Sequence, residues 1–177
     1  MILGNTHVHY ADVTFDLLDA GNGLYHANYL VLSDRARGGV FEDVGYPLHE
    51  LWEDGYALLV REVSSEFLKP VTAGAKLAIL SRVTVHSERA LTVSQEFAAR
   101  GDLPNVNLHG SFVDGAGLLE PGDVICRLHT KLICANIRER RVAALPSRLV
   151  EPFRRIAQVP PRNHAIPERT FSTAVAS

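Results

Sequence analysis

The hydrophobic pattern of this chain passes from a long helical period to a run of long strand periods near residue 56. From about Leu24 to Val44, the apolar residues Tyr29, Leu32, Ala36 and Val40 recur at helical spacing, with Asp34, Arg35, Arg37, Glu42 and Asp43 on the opposite side. Past Tyr56 the long segments read as strands instead. Tyr56 to Leu68 is one, ending at Lys69-Pro70. Lys76 to His86 sets Leu77, Ile79, Val83 and Val85 against Lys76, Arg82 and His86. Leu91 to Ala98 sets Leu91, Val93 and Phe97 against Thr92, Ser94 and Glu96, and Val124 to Asn136 carries Val124, Cys126, Leu128, Leu132 and Cys134 on one face. Between the second and third of these, Ser87-Glu88-Arg89 has hairpin length. One long helix followed by long antiparallel strands predicts an α+β fold, a helix layered on a single sheet. Such a sheet leaves an outer edge unpaired, and a second copy of the chain is a common way to cover it. The expected assembly is a homodimer or homotetramer.

The helix is preceded by a strand-like stretch, residues 6–15, rich in β-branched and aromatic types. A glycine-containing turn at 20–23 joins the two. Leu30-Val31-Leu32 makes the helix unusually apolar near its start, which predicts that other structure wraps it. Gly38-Gly39 inside it costs about 1 kcal/mol per residue relative to Ala, so either the helix breaks there or something packs closely against it. Gly45 to His49 reads as a turn, 48–53 and 147–157 as short helices, and 100–122 as a long loop. From Val159 the chain is Pro-rich and then small and polar. The predicted organisation is one domain over 1–153 and an extended or disordered tail over 154–177.

Composition excludes several function classes. A formal net charge of -2 gives no general attraction to nucleic acid or to an acidic membrane. No apolar run approaches the roughly 20 residues that span a bilayer, and Met1–His7 lacks the basic flank and apolar core of a signal peptide, so a cytoplasmic location is expected. Cys126 and Cys134 are eight apart with no CxxC pattern and read as small buried groups. His86, His109, His129 and His164 are scattered and form no metal set, and no cofactor is implied.

The stretch with chemistry in it is Phe15 to Tyr29, Phe-Asp-Leu-Leu-Asp-Ala-Gly-Asn-Gly-Leu-Tyr-His-Ala-Asn-Tyr. Asp19 stands just before the turn and His26 just after it. The first N–H groups of a helix have no intrahelical acceptor and carry positive partial charge. A carboxylate beside such a helix start suits a reaction in which an oxyanion develops. The same carboxylate would also serve as a plain turn or N-cap acceptor.

Asp19 through Tyr29, followed by Arg35-Ala-Arg37, resembles the hotdog-fold acyl-CoA thioesterases, specifically the 4-hydroxybenzoyl-CoA thioesterase branch. That family shows an Asp, a glycine turn, an aromatic or His, and Asn/Ser-Tyr opening a central helix. Arg61 to Pro70, Cys134 and Ala144-Leu145-Pro146 extend the likeness to roughly 7–153. The resemblance implies a hotdog fold, a long antiparallel sheet wrapped around one central helix. It implies hydrolysis of an acyl thioester, carried by CoA or by an acyl carrier protein, to a free acid and a thiol. Asp19 would be the nucleophile or general base, and the backbone N–H at His26 would polarise the thioester carbonyl. The site would lie at a subunit interface, with the pantetheine arm entering between subunits. Two positions depart from the pattern: Leu17 stands where the family often has a second Asp, and Asn22 where it has a glycine.

Within that frame, Asn22, Gly23, Tyr25 and Tyr29 are candidate substrate contacts. Arg89, Arg138, Arg140 and Arg141 are candidate partners for CoA phosphates or for an acidic carrier protein. Leu24, Tyr25, Leu59 and the 100–122 loop are expected to set pocket depth. Two other functions fit less of the sequence. A hotdog hydratase or dehydratase pairs Asp and His across a shorter, Pro-containing loop, and no Pro lies between Asp19 and His26. A non-catalytic acyl-thioester binding module predicts binding without thiol release.

Overall fold

The computed structural model describes residues 4–103 and 107–157. The expected 154–177 tail lies mostly outside these residues, and 147–157 belong to a helix. Seven antiparallel strands form one sheet. These are β1 (Thr6–Asp12), β2 (Tyr56–Phe67), β3 (Lys76–Val85), β4 (Ala90–Ala99), β5 (Ser111–Val113), β6 (Val124–Asn136) and β7 (Arg141–Val142). The order is β2-β6-β4-β3-β1-β5, with β7 paired to the end of β6. The helix α1 (His26–Asp43) lies on one face, and α2 (Leu48–Glu53) and α3 (Ser147–Ala157) close one end of that face.

Tyr29, Leu32, Ala36 and Val40 are all buried, as their spacing requires, and Phe41 extends the same stripe. Toward its start, α1 packs on Leu77, Ile79, Phe97, Cys126 and Leu128. Toward its end it packs on Leu91, Val93, Leu132 and Cys134, together with Leu51, Leu149 and Phe153. Cys126 and Cys134 are free and fully buried, and burial pushes each thiol up to about 11, with Glu66 adding to the rise at Cys126. The core also contains a satisfied polar group. Gln95 donates to the Ser33 carbonyl and to Ser81 Oγ, each at 3.0 Å, and accepts from the Ser33 hydroxyl.

Three sequence expectations change. Arg37 is not on the solvated side of α1: it is buried and pairs with Asp34 one turn earlier. Leu30 and Val31 are exposed rather than wrapped. The 100–122 segment is not a plain loop, because β5 adds to the β1 edge and the segment covers the outer sheet face. Leu103 there joins Val8, Ala78 and Leu80 in a second small core. The helix does not break at Gly38-Gly39. A Cβ at Gly39 would lie 3.5 Å from the rings of His7 and His9, so this glycine lets α1 approach β1.

A one-residue irregularity in β2 sets which side chains face α1. Its pairing with β6 steps from Val60↔Leu132 to Glu62↔Lys131, leaving Arg61 as the extra residue of a β-bulge. Before the bulge Leu58 and Val60 share the helix face. After it Val63 and Phe67 do, while Glu62, Ser64 and Glu66 turn to the outer face with His129 and Lys131. Were Arg61 paired like its neighbours, strict alternation would turn Phe67 away from α1.

β1 brings two histidines against the end of α1. His7 is fully buried with Nε2 2.7 Å from Asp43 Oδ2, and burial lowers its pKa despite the carboxylate. Burial, with His109 and His7 nearby, pushes His9 down to about 4, against a weaker opposing pull from Asp43. Both are depressed below the unfolded value near 6.5, so between the two values the unfolded chain binds more protons. Stability is therefore complete above about pH 6.5 and falls as the pH drops toward 4. The denaturation midpoint is expected to decrease from pH 7 to pH 5, and His9→Gln to flatten that slope. An unchanged slope in His9→Gln would contradict the assignment.

Candidate active site

The turn at 19–23 is built around the Asp19 carboxylate. Its Oδ1 accepts the N–H of Gly21 at 2.8 Å and the N–H of Gly23 at 3.2 Å. The backbone closes the same loop, with Asp19 N–H to Gly23 carbonyl at 2.9 Å and Asn22 N–H to Asp19 carbonyl at 3.0 Å. A Cβ at Gly21 would stand 3.2 Å from Oδ1, so a side chain there would crowd the carboxylate. Asn22 takes φ 61, the left-handed conformation that the family's glycine would supply. Replacing Asn22 with Gly is expected to preserve stability and any activity of the cleft. Asn22→Val should cost about 1–2 kcal/mol by denaturation, because a β-branched residue clashes at positive φ. Equal stability of the two variants would refute this account of the turn.

Leu17 is buried, which explains why this position carries no second acid. Its carbonyl accepts the Tyr25 N–H at 3.0 Å and Asn28 Nδ2 at 2.8 Å, tying the turn to the helix. Tyr25 occupies the N-cap position of α1 and offers no side-chain cap. His26 is the first helical residue, so its N–H has no intrahelical acceptor.

A cleft of about 430 Å³ opens beside this turn. Asp19, Gly23, Leu24, His26 and Tyr29 line one side, and the segment from Phe67 to Val71 lines the other. The Leu24 N–H to Val71 carbonyl bond, at 2.7 Å, holds the two sides together. Tyr29 stacks edge-on between Phe67 and Phe97, at 5.1 and 5.5 Å, and burial beside Cys126 pushes its hydroxyl up to about 12. The wall is thus largely apolar, with one carboxylate, one helix start and the exposed Lys69 as its polar features. Asp19 has a second oxygen not engaged by the turn glycines, and no cation is paired with the carboxylate among the described residues. That leaves it available to attack a carbonyl carbon or to take a proton from water.

Not every candidate residue reaches this cleft. Asp19, Gly23, His26 and Tyr29 line it; Asn22 shapes the turn, and Tyr25 stacks on His26 at 4.3 Å. Leu59 and the described part of 100–122 are not in the lining, since they lie on the outer sheet face or its edge. Arg89, Arg138, Arg140 and Arg141 stand at the other end of the sheet. Phe67 pairs with Cys126 at the start of β6, whereas these arginines flank its end at Cys134–Asn136. Ten residues of strand separate the two ends, about 33 Å. Leu68 to Pro70 were read from the sequence only as a strand end and as part of the resemblance at 61–70, and Val71 not at all; the Lys69-Pro70 break was their signal. Among the described residues, no group of three or more His, Cys, Asp or Glu side chains is arranged to hold a metal ion, and no helix is long and apolar enough to cross a membrane.

Comparison with known proteins places this geometry. The family model of the thioesterase-like superfamily matches residues 13–153. The acyl-CoA thioester hydrolase YbgC of Escherichia coli is 23% identical over 142 residues, covering 80% of this chain and 91% of that protein, and its Shigella flexneri counterpart matches to the same extent. Among solved structures, Slr0204, a 1,4-dihydroxy-2-naphthoyl-CoA thioesterase from Synechocystis, superposes with a TM-score of 0.69 at 17% identity, covering 87% of this chain and 99% of that one. SAV2348 from Staphylococcus aureus, solved in complex with CoA, superposes with a TM-score of 0.72 at 15% identity, covering 99% of each chain. At these identities the structural likeness is one of fold, and the fold is the hotdog fold.

Proposed function

The chain belongs to the thioesterase-like superfamily and is a thioester hydrolase, and from that premise we propose that it cleaves an acyl-CoA with Asp19 as its reacting carboxylate. Water and the thioester give a carboxylic acid and free CoA. Asp19 either adds to the carbonyl carbon, expelling the thiolate before water hydrolyses the resulting anhydride, or takes the proton of a water that adds directly. In both routes the carbonyl oxygen gains negative charge. The His26 N–H, at the uncapped positive end of α1, is the donor aimed at that charge. One such donor is typically worth about 3 kcal/mol of barrier.

The observation that carries this reading is the division of labour at Asp19. The turn glycines hold Oδ1, and the carboxylate opens on a cleft that also contains the helix start. A carboxylate with only a turn role would not need the second arrangement. The apolar wall of Leu24, Tyr29, Phe67 and Val71 fits the acyl group, and CoA is the thiol in the name of the relative YbgC.

We further propose that the working unit is a dimer formed through β2. This twelve-residue strand is hydrogen-bonded to β6 on one side only and is exposed along most of its length. An edge strand is self-complementary about a two-fold axis, because each copy offers the N–H and C=O groups the other lacks. Exposed Val60 and Val63 on β2 and exposed Leu30 and Val31 on α1 border one cleft of about 370 Å³, an apolar surface for the second copy to cover. Thiol release from aryl-, short-chain and long-chain acyl-CoA tests the reaction, and analytical ultracentrifugation tests the assembly. Absence of thiol release with every class would overturn the first, and a monomer at micromolar concentration the second.

A further inference from the structure

The outer edge of β1 is finished by a side chain. β5 pairs with Thr6, His7 and Val8, and the Val8 carbonyl accepts the Gly110 N–H at 2.8 Å. The next donor on that side, the Tyr10 N–H, lies beyond the reach of β5. It donates to Nδ1 of His109 at 2.8 Å, so an imidazole stands where a strand would place a carbonyl. The Leu108 N–H donates to the Tyr10 hydroxyl at 3.2 Å. The His109 ring sits 5.5 Å from the Tyr10 ring and 4.9 Å from the His9 ring, and the Arg100 guanidinium lies 4.1 Å over Tyr10.

The Tyr10 bond fixes the protonation state of His109. A backbone N–H can only donate, so the ring nitrogen that faces it must keep its lone pair. A proton on Nδ1 would set two donors against each other and remove the bond. The surroundings do not favour the charge. His7, His9 and Tyr10 of β1 lie against the segment, with Arg100 after β4 and Arg35 on α1 nearby. The carboxylate of this cluster is Asp43, and it is bonded to Nε2 of the buried His7. His109 has no carboxylate partner among the described residues, and it is exposed, so protons reach it from solvent. The same segment roofs the His7–Asp43 pair: an added Cβ at Gly110 would stand 3.6 Å from Asp43 Oδ2. His7 Nδ1 is buried there without a hydrogen-bond partner among the described residues.

We propose that His109 is a proton-operated clip. Neutral, it closes residues 108–111 onto the β1 edge; protonated at Nδ1, it releases them and opens that edge and the His7–Asp43 pair to water. The opening is local, because the long pairings among β3, β4 and β6 do not involve this segment. The clip includes none of the residues that line the Asp19 cleft.

Hydrogen exchange of the full chain, corrected for the intrinsic effect of pH on amide exchange, reads the clip directly. From about pH 8 to about pH 5, protection of the Tyr10 amide and the 108–111 amides should fall about 5-fold or more, the loss expected for one hydrogen bond. Two variants separate His109 from its histidine neighbours. Asparagine places Oδ1 where histidine places Nδ1 but does not titrate, so His109→Asn should keep its protection at both ends of that range. His109→Phe has no acceptor there and should show the reduced protection at both ends. Nitrogen NMR of the imidazole rings at the alkaline end should find the His109 proton on Nε2. A loss of protection in His109→Asn that parallels the wild type would assign the effect to His7 or His9 and overturn the proposal. So would a proton on Nδ1 at the alkaline end, or wild-type exchange in His109→Phe throughout.

Discussion

Asp19→Asn is expected to lower kcat for acyl-CoA hydrolysis by about 10³-fold or more while leaving the melting temperature essentially unchanged. The substitution is informative because of how the carboxylate is held. An asparagine side-chain oxygen can take the place of Oδ1 and keep the bonds from Gly21 and Gly23, so the turn survives. Only the second oxygen becomes an amide nitrogen, which neither adds to a carbonyl nor accepts a proton from water. Asp19→Ala would also remove the turn bonds and mix the two effects. Asp16→Asn is the matched control, since Asp16 is exposed and absent from the cleft lining. His26→Ala should cost far less than Asp19→Asn, because the backbone N–H assigned to the oxyanion remains. Thiol release under saturating substrate, read beside circular dichroism melting, checks all of these. Wild-type turnover by folded Asp19→Asn would sink the mechanism.

Deleting Ser64 should do comparable damage from a residue that is not in the cleft at all, whereas deleting Arg61 should not. Arg61 is the unpaired residue of the bulge, so its removal joins Val60 to Glu62 in the register they already hold, and Val63 and Phe67 stay on the helix face. Ser64 is paired with His129, and its loss puts every later residue of β2 out of step. If the bulge persists, Glu66 turns toward α1 beside the cleft that contains Asp19, Phe67 turns out, and Glu66 leaves Arg127, its partner at 2.9 Å on the outer face. If the bulge is absorbed, Glu62 turns toward α1 and Val63 turns out. Turning a carboxylate toward an apolar wall while exposing an apolar side chain should cost about 3 kcal/mol or more, near 10 °C of melting temperature at this chain length. Where Phe67 turns out, turnover should fall beyond 100-fold as the cleft loses its aromatic wall. Deletion of Arg61 should retain the fold and most of the activity. If the two deletions melt and turn over alike, the bulge is not what assigns the faces.

The fold was largely legible because its information is local and periodic. Tyr29, Leu32, Ala36 and Val40 defined the buried stripe of α1 before any partner surface was known, and alternation defined β3 and β4. β5 was not legible: three residues carry too little pattern, and Ser111–Val113 becomes a strand only because the β1 edge is there to pair with. Arg37 was misplaced for a related reason. Its charge suggested solvent, but Asp34 one turn earlier supplies a partner that lets it lie buried. The bulge did leave a trace, in the shift from Leu58 and Val60 on even positions to Val63 and Phe67 on odd ones.

At the candidate site the division is similar. The sequence placed the Asp19 carboxylate beside a glycine turn, allowed positive φ at Asn22 and put the helix start within two residues of His26, because turn chemistry and helix initiation act over a few neighbouring residues. It could not determine that Phe67 to Val71 form the opposite wall, or that the arginines stand about 33 Å from their own cleft. Those relations depend on which strands become neighbours and in what register. Only the folded sheet decides them, because burying its apolar face selects one pairing out of many that the local pattern allows.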